Sequence, residues 1–330
     1  MAIVSTYLED QMMDQKLNIG VSSCLMGQEV RFNGGHCRNR FLTDAIAEYA
    51  NFKPICPEVS INMSIPRETV RLEREESGRI HMRAPKSRED YTDRMEQFAT
   101  DWTKNLEEKD LDGFVFKKDS PSCGVFRVKI YENGQPAERR GTGLFAKAVI
   151  KALPELPVEE EGRLCDPVLR EIFVERCFAY RRVKDLFARV DWSRKDVVNF
   201  HSREKLLLMA HSPGQYKALG KLVAEIKSHP RDVFKEKYIK TFMTCMNDKP
   251  SKGRHANALM HMAGYLKNKL SAQGRQELAR SIDDYRAGII PLIVPMTLLG
   301  HMIRRFDEMY LAQQTYLSPH PYQLSLRNHT

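Results

Sequence analysis

Leu17-Asn18-Ile19-Gly20-Val21-Ser22-Ser23-Cys24-Leu25 is a short apolar run that closes on two serines and a cysteine. A run of this length, bounded by small polar residues, reads as a buried strand. The same construction returns at Phe52 to Ile55, followed by Cys56-Pro57-Glu58. It returns again at Gly113 to Phe116, followed by Ser120-Pro121-Ser122-Cys123-Gly124. Each strand delivers a thiol to its C-terminal end, where an open α/β sheet places ligands in the crevice outside the strands. Three thiols at three such ends suggest a metal or cluster site.

The surroundings of these runs indicate the fold class. Phe41 to Ala50 and Asp90 to Leu106 carry helical spacing and alternate with the strands, as βαβ units do. The expectation is an α/β domain, a mostly parallel sheet flanked by helices. Val125 to Tyr131, followed by Asn133-Gly134, reads as a hairpin and gives that sheet an antiparallel edge. Gly141-Thr142-Gly143 opens a helix that runs to about Leu153, and the Pro- and Glu-rich stretch Pro154 to Arg163 reads as a surface connection. Asp166 and Pro167 read as the N-cap and first residue of a helix with apolar positions Leu169, Phe173, Cys177, Tyr180, Phe187 and Val190. Beyond it the chain reads as all-α, with helical spacing over His201 to Lys227, Ala256 to Leu270, Arg275 to Ala287 and Leu292 to Leu311. The expected division is residues 1–160, a connecting helical segment 161–200, and an all-α domain 201–330.

A chain of 330 residues with 42% hydrophobic residues can bury two cores. Met1 to Lys16 lacks the pattern of a secretory leader, and no apolar run has the length of a membrane span. Seven cysteines, an odd number, argue against a disulfide framework. A soluble cytoplasmic protein is expected. The net charge of +9 is uneven, because residues 201–330 hold 20 Lys and Arg against 10 Asp and Glu. The basic half suggests an acidic partner, nucleic acid or an acidic protein, although a diffuse excess also serves solubility.

Among the cysteines, Cys165, Cys177 and Cys245 read as buried structural thiols. Cys24, Cys56 and Cys123 differ in lying at strand-to-loop transitions. Structural zinc usually takes a close Cys-x-x-Cys pair, and none is present. A cubane iron-sulfur cluster is wide enough to be held from three separate loops, and three ligands leave one iron open to a substrate atom, favourably sulfur.

Four stretches then carry a resemblance: Val21 to Gly27; Val30-Arg31-Phe32-Asn33-Gly34-Gly35-His36; Cys56-Pro57-Glu58 with Pro66-Arg67; and Lys118 to Gly124. In this order they resemble the thiouracil desulfidase family. His201-Ser202-Arg203-Glu204-Lys205, Ala210-His211-Ser212-Pro213 and the run from His255 to His261 resemble the YbgA-like helical domain, which is often fused to the first. The resemblance implies a [4Fe-4S] cluster held by Cys24, Cys56 and Cys123, with the fourth iron free for the sulfur of a small thiopyrimidine. It implies that Glu58 is catalytic and that Ser120 assists. Cys37 departs from the pattern, where a basic or small polar residue is expected, and a thiol reaching the open iron would close it.

On residue type alone these positions read differently. Glu58 is then a solvated loop carboxylate, Ser120 and Ser122 shape a turn, and Arg31, Arg67, Lys117 and Lys118 either bind an anion or solvate a rim. Gly141-Thr142-Gly143 reads as a tight turn before a phosphate cradle. The helical half holds eight of the ten histidines. The spacing of His201, His211, His255 and His261 reads as hydrogen-bonded or capping histidines, and Met209, Tyr216, Met260 and Tyr265 read as bundle packing.

Overall fold

The computed structural model describes residues 16–105, 109–132 and 135–327. Residues 1–15, the expected Asn133-Gly134 turn and Leu106 lie outside the described residues. Eight strands are present among them: β1 (Leu17–Ser22), β2 (Ala50–Ile55), β3 (Arg71–Arg74), β4 (Ile80–Arg83), β5 (Gly113–Phe116), β6 (Val128–Glu132), β7 (Gln135–Gly141) and β8 (Val158–Glu160). They form two four-stranded sheets rather than the single expected one, in the orders β2-β1-β5-β8 and β4-β3-β6-β7.

The first sheet is parallel throughout, with Val21 opposite both Pro54 and Val115. Leu17, Ile19 and Val21 are fully buried along β1. Gly20 has a steric reason, since a Cβ there would sit 2.3 Å from the Phe114 ring. Helices α1 (Pro57–Ser60), α2 (Thr92–Lys104) and α3 (Leu144–Ala152) follow β2, β4 and β7. An aromatic cluster joins α2 and α3 to the sheet: Trp102 meets Phe145 at 5.0 Å and Phe114 at 6.2 Å, and Phe114 stacks on Phe116 at 3.9 Å.

Two local expectations are corrected. Phe41 to Ala50 forms no regular helix; a wide turn at Phe41–Ala45 and a tight one at Ala47–Tyr49 lead into β2, because Ala50 pairs with Leu17. The stretch read as a surface connection holds β8, paired with β5. Its carboxylates hid it, yet Glu160 is buried and its Oε1 accepts from the amides of Val125 (2.8 Å) and Phe126 (2.9 Å). The second sheet combines a parallel β3–β6 pair with antiparallel β3–β4 and β6–β7 pairs, the last being the expected hairpin.

The chain divides into two compact units between Phe173 and Val174, inside helix α4 (Pro167–Ala188). Asp166 caps α4 as expected, accepting from the amides of Val168 at 2.8 Å and Leu169 at 3.1 Å. Val190 lies past the helix end and is 95% exposed, so it is not part of the apolar face. The second unit continues with α5 (Arg194–His211), α6 (Pro213–Ala224), α7 (Arg231–Asn247), α8 (Lys252–Leu266), α9 (Ala272–Ala287), α10 (Ile293–Arg305) and α11 (Met309–Ala312). The stretch His201 to Lys227 is therefore two helices: Pro213 holds Ser212 extended and ends α5. Leu292 to Leu311 is likewise interrupted, at Asp307, whose φ is 47°.

Phe234, Tyr238 and Phe242 stack along α7 against Phe187, Trp192 and Phe200 and form the core of this unit. Met209 joins that core, whereas Met260 and Tyr265 are exposed because α8 turns His255, Ala256, Leu259 and Met262 inward. Beside the aromatic stack lies a buried polar cluster. Glu175 bonds His211 Nε2 and Arg327, each at 2.6 Å, and Arg182 grips Glu204 at 2.8 and 3.1 Å. These contacts offset the cost of burying charge. No helix among the described residues is long and apolar enough to cross a membrane.

Candidate active site

Strands β2, β1 and β5 are neighbours and parallel, so their C-terminal ends share one edge of the sheet. From β1 the chain passes into a tight turn, Ser23–Met26, that holds Cys24 and ends at Gly27 with φ 89°, a value glycine adopts without strain. β2 ends one residue before Cys56, which starts α1 and presents Glu58 on its first turn. β5 leads to the loop of Ser120 to Gly124, which carries Cys123. The three sequence-predicted thiols are brought together. Cys56 acts electrostatically on both Cys24 and Cys123, and Glu58 acts on both Cys56 and Cys123.

Burial pushes the Cys24 thiol up to about 12, with the charges of Cys37 and Cys56 adding to the effect and Lys117 opposing it. Burial also raises Cys56 and, most strongly, Cys123, despite hydrogen bonds to Cys123 from Ser22 and Ser122. Thiolates crowded in low dielectric are unfavourable unless cationic charge arrives with them. Among the described residues no three His, Cys, Asp or Glu side chains are gathered tightly enough to hold a single ion.

Glu58 is not a solvated carboxylate. Arg67 Nε and Nη2 donate to its Oε2 at 3.0 and 2.5 Å, and the two side chains are only 14% and 5% exposed. Arg67 is itself fixed by the carbonyls of Val30 at 2.9 Å and Ser64 at 3.3 Å. Oε1 accepts from Ser122 Oγ at 2.7 Å and lies 3.5 Å from Ser120 Oγ, while the two serine hydroxyls are 2.9 Å apart. Ser120 Oγ accepts from the amides of Ser122 (3.3 Å) and Cys123 (3.1 Å), which shapes the loop around the cysteine.

The residue-type reading missed Ser122 and Arg67 as partners of Glu58. The signal available was the pairing of Pro66-Arg67 with Cys56-Pro57-Glu58 in one motif set. Lys117 is also no rim cation, since its Nζ pairs with Glu161 at 2.5 Å, and its amide donates to Ser22 Oγ at 3.0 Å. Gly141-Thr142-Gly143 is packing rather than a phosphate cradle. The amides of Gly143, Leu144 and Ala146 already donate to the carbonyls of Gly124, Pro121 and Ser122, at 2.7, 3.1 and 3.1 Å. A Cβ at Gly143 would lie 2.5 Å from the Ser122 backbone.

Cys177 and Cys245 are buried, as read, but Cys165 is exposed because it sits in the short turn Arg163–Cys165. Three of the four histidines singled out in the helical unit make hydrogen bonds, His201 to Tyr238 (3.2 Å), His211 to Glu175, and His255 to Tyr316 (2.9 Å), whereas His261 is exposed.

Residues 19–161 match a family described as 2-thiouracil desulfurase, and residues 205–321 match one described as a protein of unknown function, DUF1722. The uncharacterized protein YbgA of Escherichia coli (strain K12) is 31% identical over 137 residues, 41% of this chain and 81% of that protein. The chain belongs to the YbgA-like DUF1722 family, and the region ahead of its helical part matches the 2-thiouracil desulfurase family. A solved structure described as the [4Fe-4S]-dependent thiouracil desulfidase TudS aligns with a TM-score of 0.37 at 26% identity, covering 46% of this chain and 95% of its own. The 2-thiouracil desulfurase match spans β1 to β8 and therefore every residue of the thiol and carboxylate cluster.

Proposed function

We propose that this chain is a desulfidase that replaces the thione sulfur of a small thiolated pyrimidine, 2-thiouracil or a close relative, with oxygen from water. The observation that carries this reading is the meeting of three thiols, two buried and one half-buried, with an arginine-held carboxylate at one sheet edge. The donor set suits a [4Fe-4S] cluster. Its thiols are soft and dispersed over three strand ends, and their burial calls for the compensating charge that iron brings. Cys24, Cys56 and Cys123 would hold it, and when bound it would supply a Lewis-acidic iron for the thione sulfur.

The chain's own residues then handle water and protons. Arg67 occupies Oε2 of Glu58 through two donors, so Oε1 is the oxygen turned toward the serines. Glu58 Oε1 takes a proton from water as the water oxygen bonds to the ring carbon, and returns it as the carbon-sulfur bond breaks. Both backbone donors to Ser120 Oγ use its lone pairs, which leaves its own proton to donate toward Ser122 or Glu58. Ser122 donates to Oε1 directly and so fixes the carboxylate's rotation. Thione and water become carbonyl and hydrogen sulfide, with no net electron transfer.

The test is anaerobic reconstitution followed by reaction with 2-thiouracil and other thiopyrimidines. Sulfide and the oxo product should appear in equal amounts. Full iron loading with no sulfide from any of them overturns the proposal.

A further inference from the structure

Cys37 lies on the loop after Asn33-Gly34-Gly35, and its position is fixed by backbone pairing. Its amide donates to the Cys24 carbonyl at 2.9 Å, and the Asn39 amide donates to the Leu25 carbonyl at 2.8 Å, so residues 37–39 run beside the turn that holds Cys24. Adding the standard backbone lengths on either side of the first bond puts the two Cα atoms at most about 7 Å apart. The loop is tied within itself by Gly34 N to Arg31 O at 2.9 Å and Arg31 N to Gly35 O at 3.2 Å. Cys37 is half-buried, as Cys56 is, whereas Cys24 and Cys123 are buried. No hydrogen bond engages its Sγ among the described residues.

We propose that Cys37 is a fourth thiolate ligand of the site, occupying the remaining iron in the resting protein and yielding it to the substrate's thione sulfur. This rests on the desulfidase reading. The step is a ligand exchange without change of oxidation state: the Cys37 thiolate leaves as the thione sulfur arrives, and it returns when hydrogen sulfide departs. The thiol would shield the iron that three-cysteine sites lose most readily to oxidants.

The test compares wild-type protein with Cys37→Ala and Cys37→Ser, all reconstituted without oxygen and assayed for iron and acid-labile sulfide. Each is treated with ferricyanide, and the electron paramagnetic resonance signal of a three-iron cluster is recorded. The signal should appear in Cys37→Ala and be absent or much smaller in wild type, and the KM for 2-thiouracil should fall in the variant because no thiolate has to be displaced. If Cys37→Ala takes up no iron, Cys37→Ser, whose oxygen is a weaker ligand, is read in its place by the same signal. Equal three-iron signals in wild type and variants overturn the assignment of Cys37 while leaving the desulfidase reading intact. Wild-type protein that binds no cluster overturns both.

Discussion

Replacing Glu58 with Gln tests the carboxylate while leaving its surroundings in place. The amide has the same shape; its oxygen can accept from Arg67, and its nitrogen then faces Ser122 Oγ, which rotates to accept. Arg67 keeps its bonds to the carbonyls of Val30 and Ser64, so it stays where it is. What is lost to folding is the charge on one side of a partly buried pair, about 1–3 kcal/mol. What is lost to chemistry is the base, about 10²–10⁴-fold in turnover, or roughly 3–5 kcal/mol in the barrier. None of the three proposed ligand thiols is touched, so iron and sulfide content should equal wild type. The assay is the first-turnover rate of sulfide release at saturating 2-thiouracil, normalised to bound iron. A rate within about a factor of three of wild type, below roughly 0.7 kcal/mol, would refute Glu58 as the base.

Ser122→Ala removes the 2.7 Å donor to Glu58 Oε1 and should lower kcat by about 10- to 100-fold at unchanged iron content, the value of one hydrogen bond to a charged group; an unchanged kcat would return the supporting role to Ser120 alone. Gly143→Ala drives a Cβ against the Ser122 backbone at 2.5 Å and should displace the Cys123 loop, costing about 1–3 kcal/mol of stability and much of the bound iron; full iron loading in this variant would show that the loop has slack. In the helical unit, His211 and Arg327 hold the Glu175 carboxyl well below its ordinary 4.5, against the opposing effect of burial. The folded chain therefore binds fewer protons there than the unfolded one, so this contribution is complete above about pH 4.5 and is lost as pH falls below it. Glu175→Gln should cost roughly 3–5 kcal/mol near neutral pH, and urea unfolding followed by helical circular dichroism should lose part of its acid dependence; an identical acid slope in the two proteins would contradict the pairing.

The legible parts of the sequence were those where apolar pattern and local chemistry agree. β1 and β5 announced themselves because they are buried runs, β2 was legible from Phe52 and Ile55 although only Ala50 of its residues is buried, and Cys24, Cys56 and Cys123 followed from where those runs stop. Asp166-Pro167 announced a helix start because an N-cap oxygen and a fixed φ suit no other element so well. β3 and β4 were illegible for the opposite reason. Half of their residues, Arg71-Leu72-Glu73-Arg74 and Ile80-His81-Met82-Arg83, are Arg or Glu, and the buried Glu73 is neutralised by Arg71 on its own strand and by Arg88 in the loop after β4. β8 hid behind Glu159 and Glu160 in the same way. The break at Ser212-Pro213 was readable from proline's missing amide hydrogen, but the helical spacing on either side runs through it and masked it.

The Ser120 to Gly124 loop explains why the site residues arrived in the sequence as one compact motif. Its serine hydroxyls orient Glu58, its cysteine enters the thiol cluster, and its carbonyls at Pro121, Ser122 and Gly124 receive the first amides of α3 and the turn before it. Gly143 lets that helix approach closely enough to make those bonds, and Gly124 is equally constrained, since a Cβ would meet Val128 at 2.4 Å. The carboxylate's rotation and the Cys123 thiol's position are therefore set by the same few backbone bonds. A change that shifts one shifts the other, so the proposed base and the proposed ligand are a coupled unit whose single substitutions will not sum. Arg67 extends that unit by tying Glu58 to the Val30 carbonyl, which also lies 3.9 Å from Cys56 Sγ. Chemistry at the sheet edge thus depends less on three isolated cysteines than on a continuous set of bonds running from β2 to the start of α3.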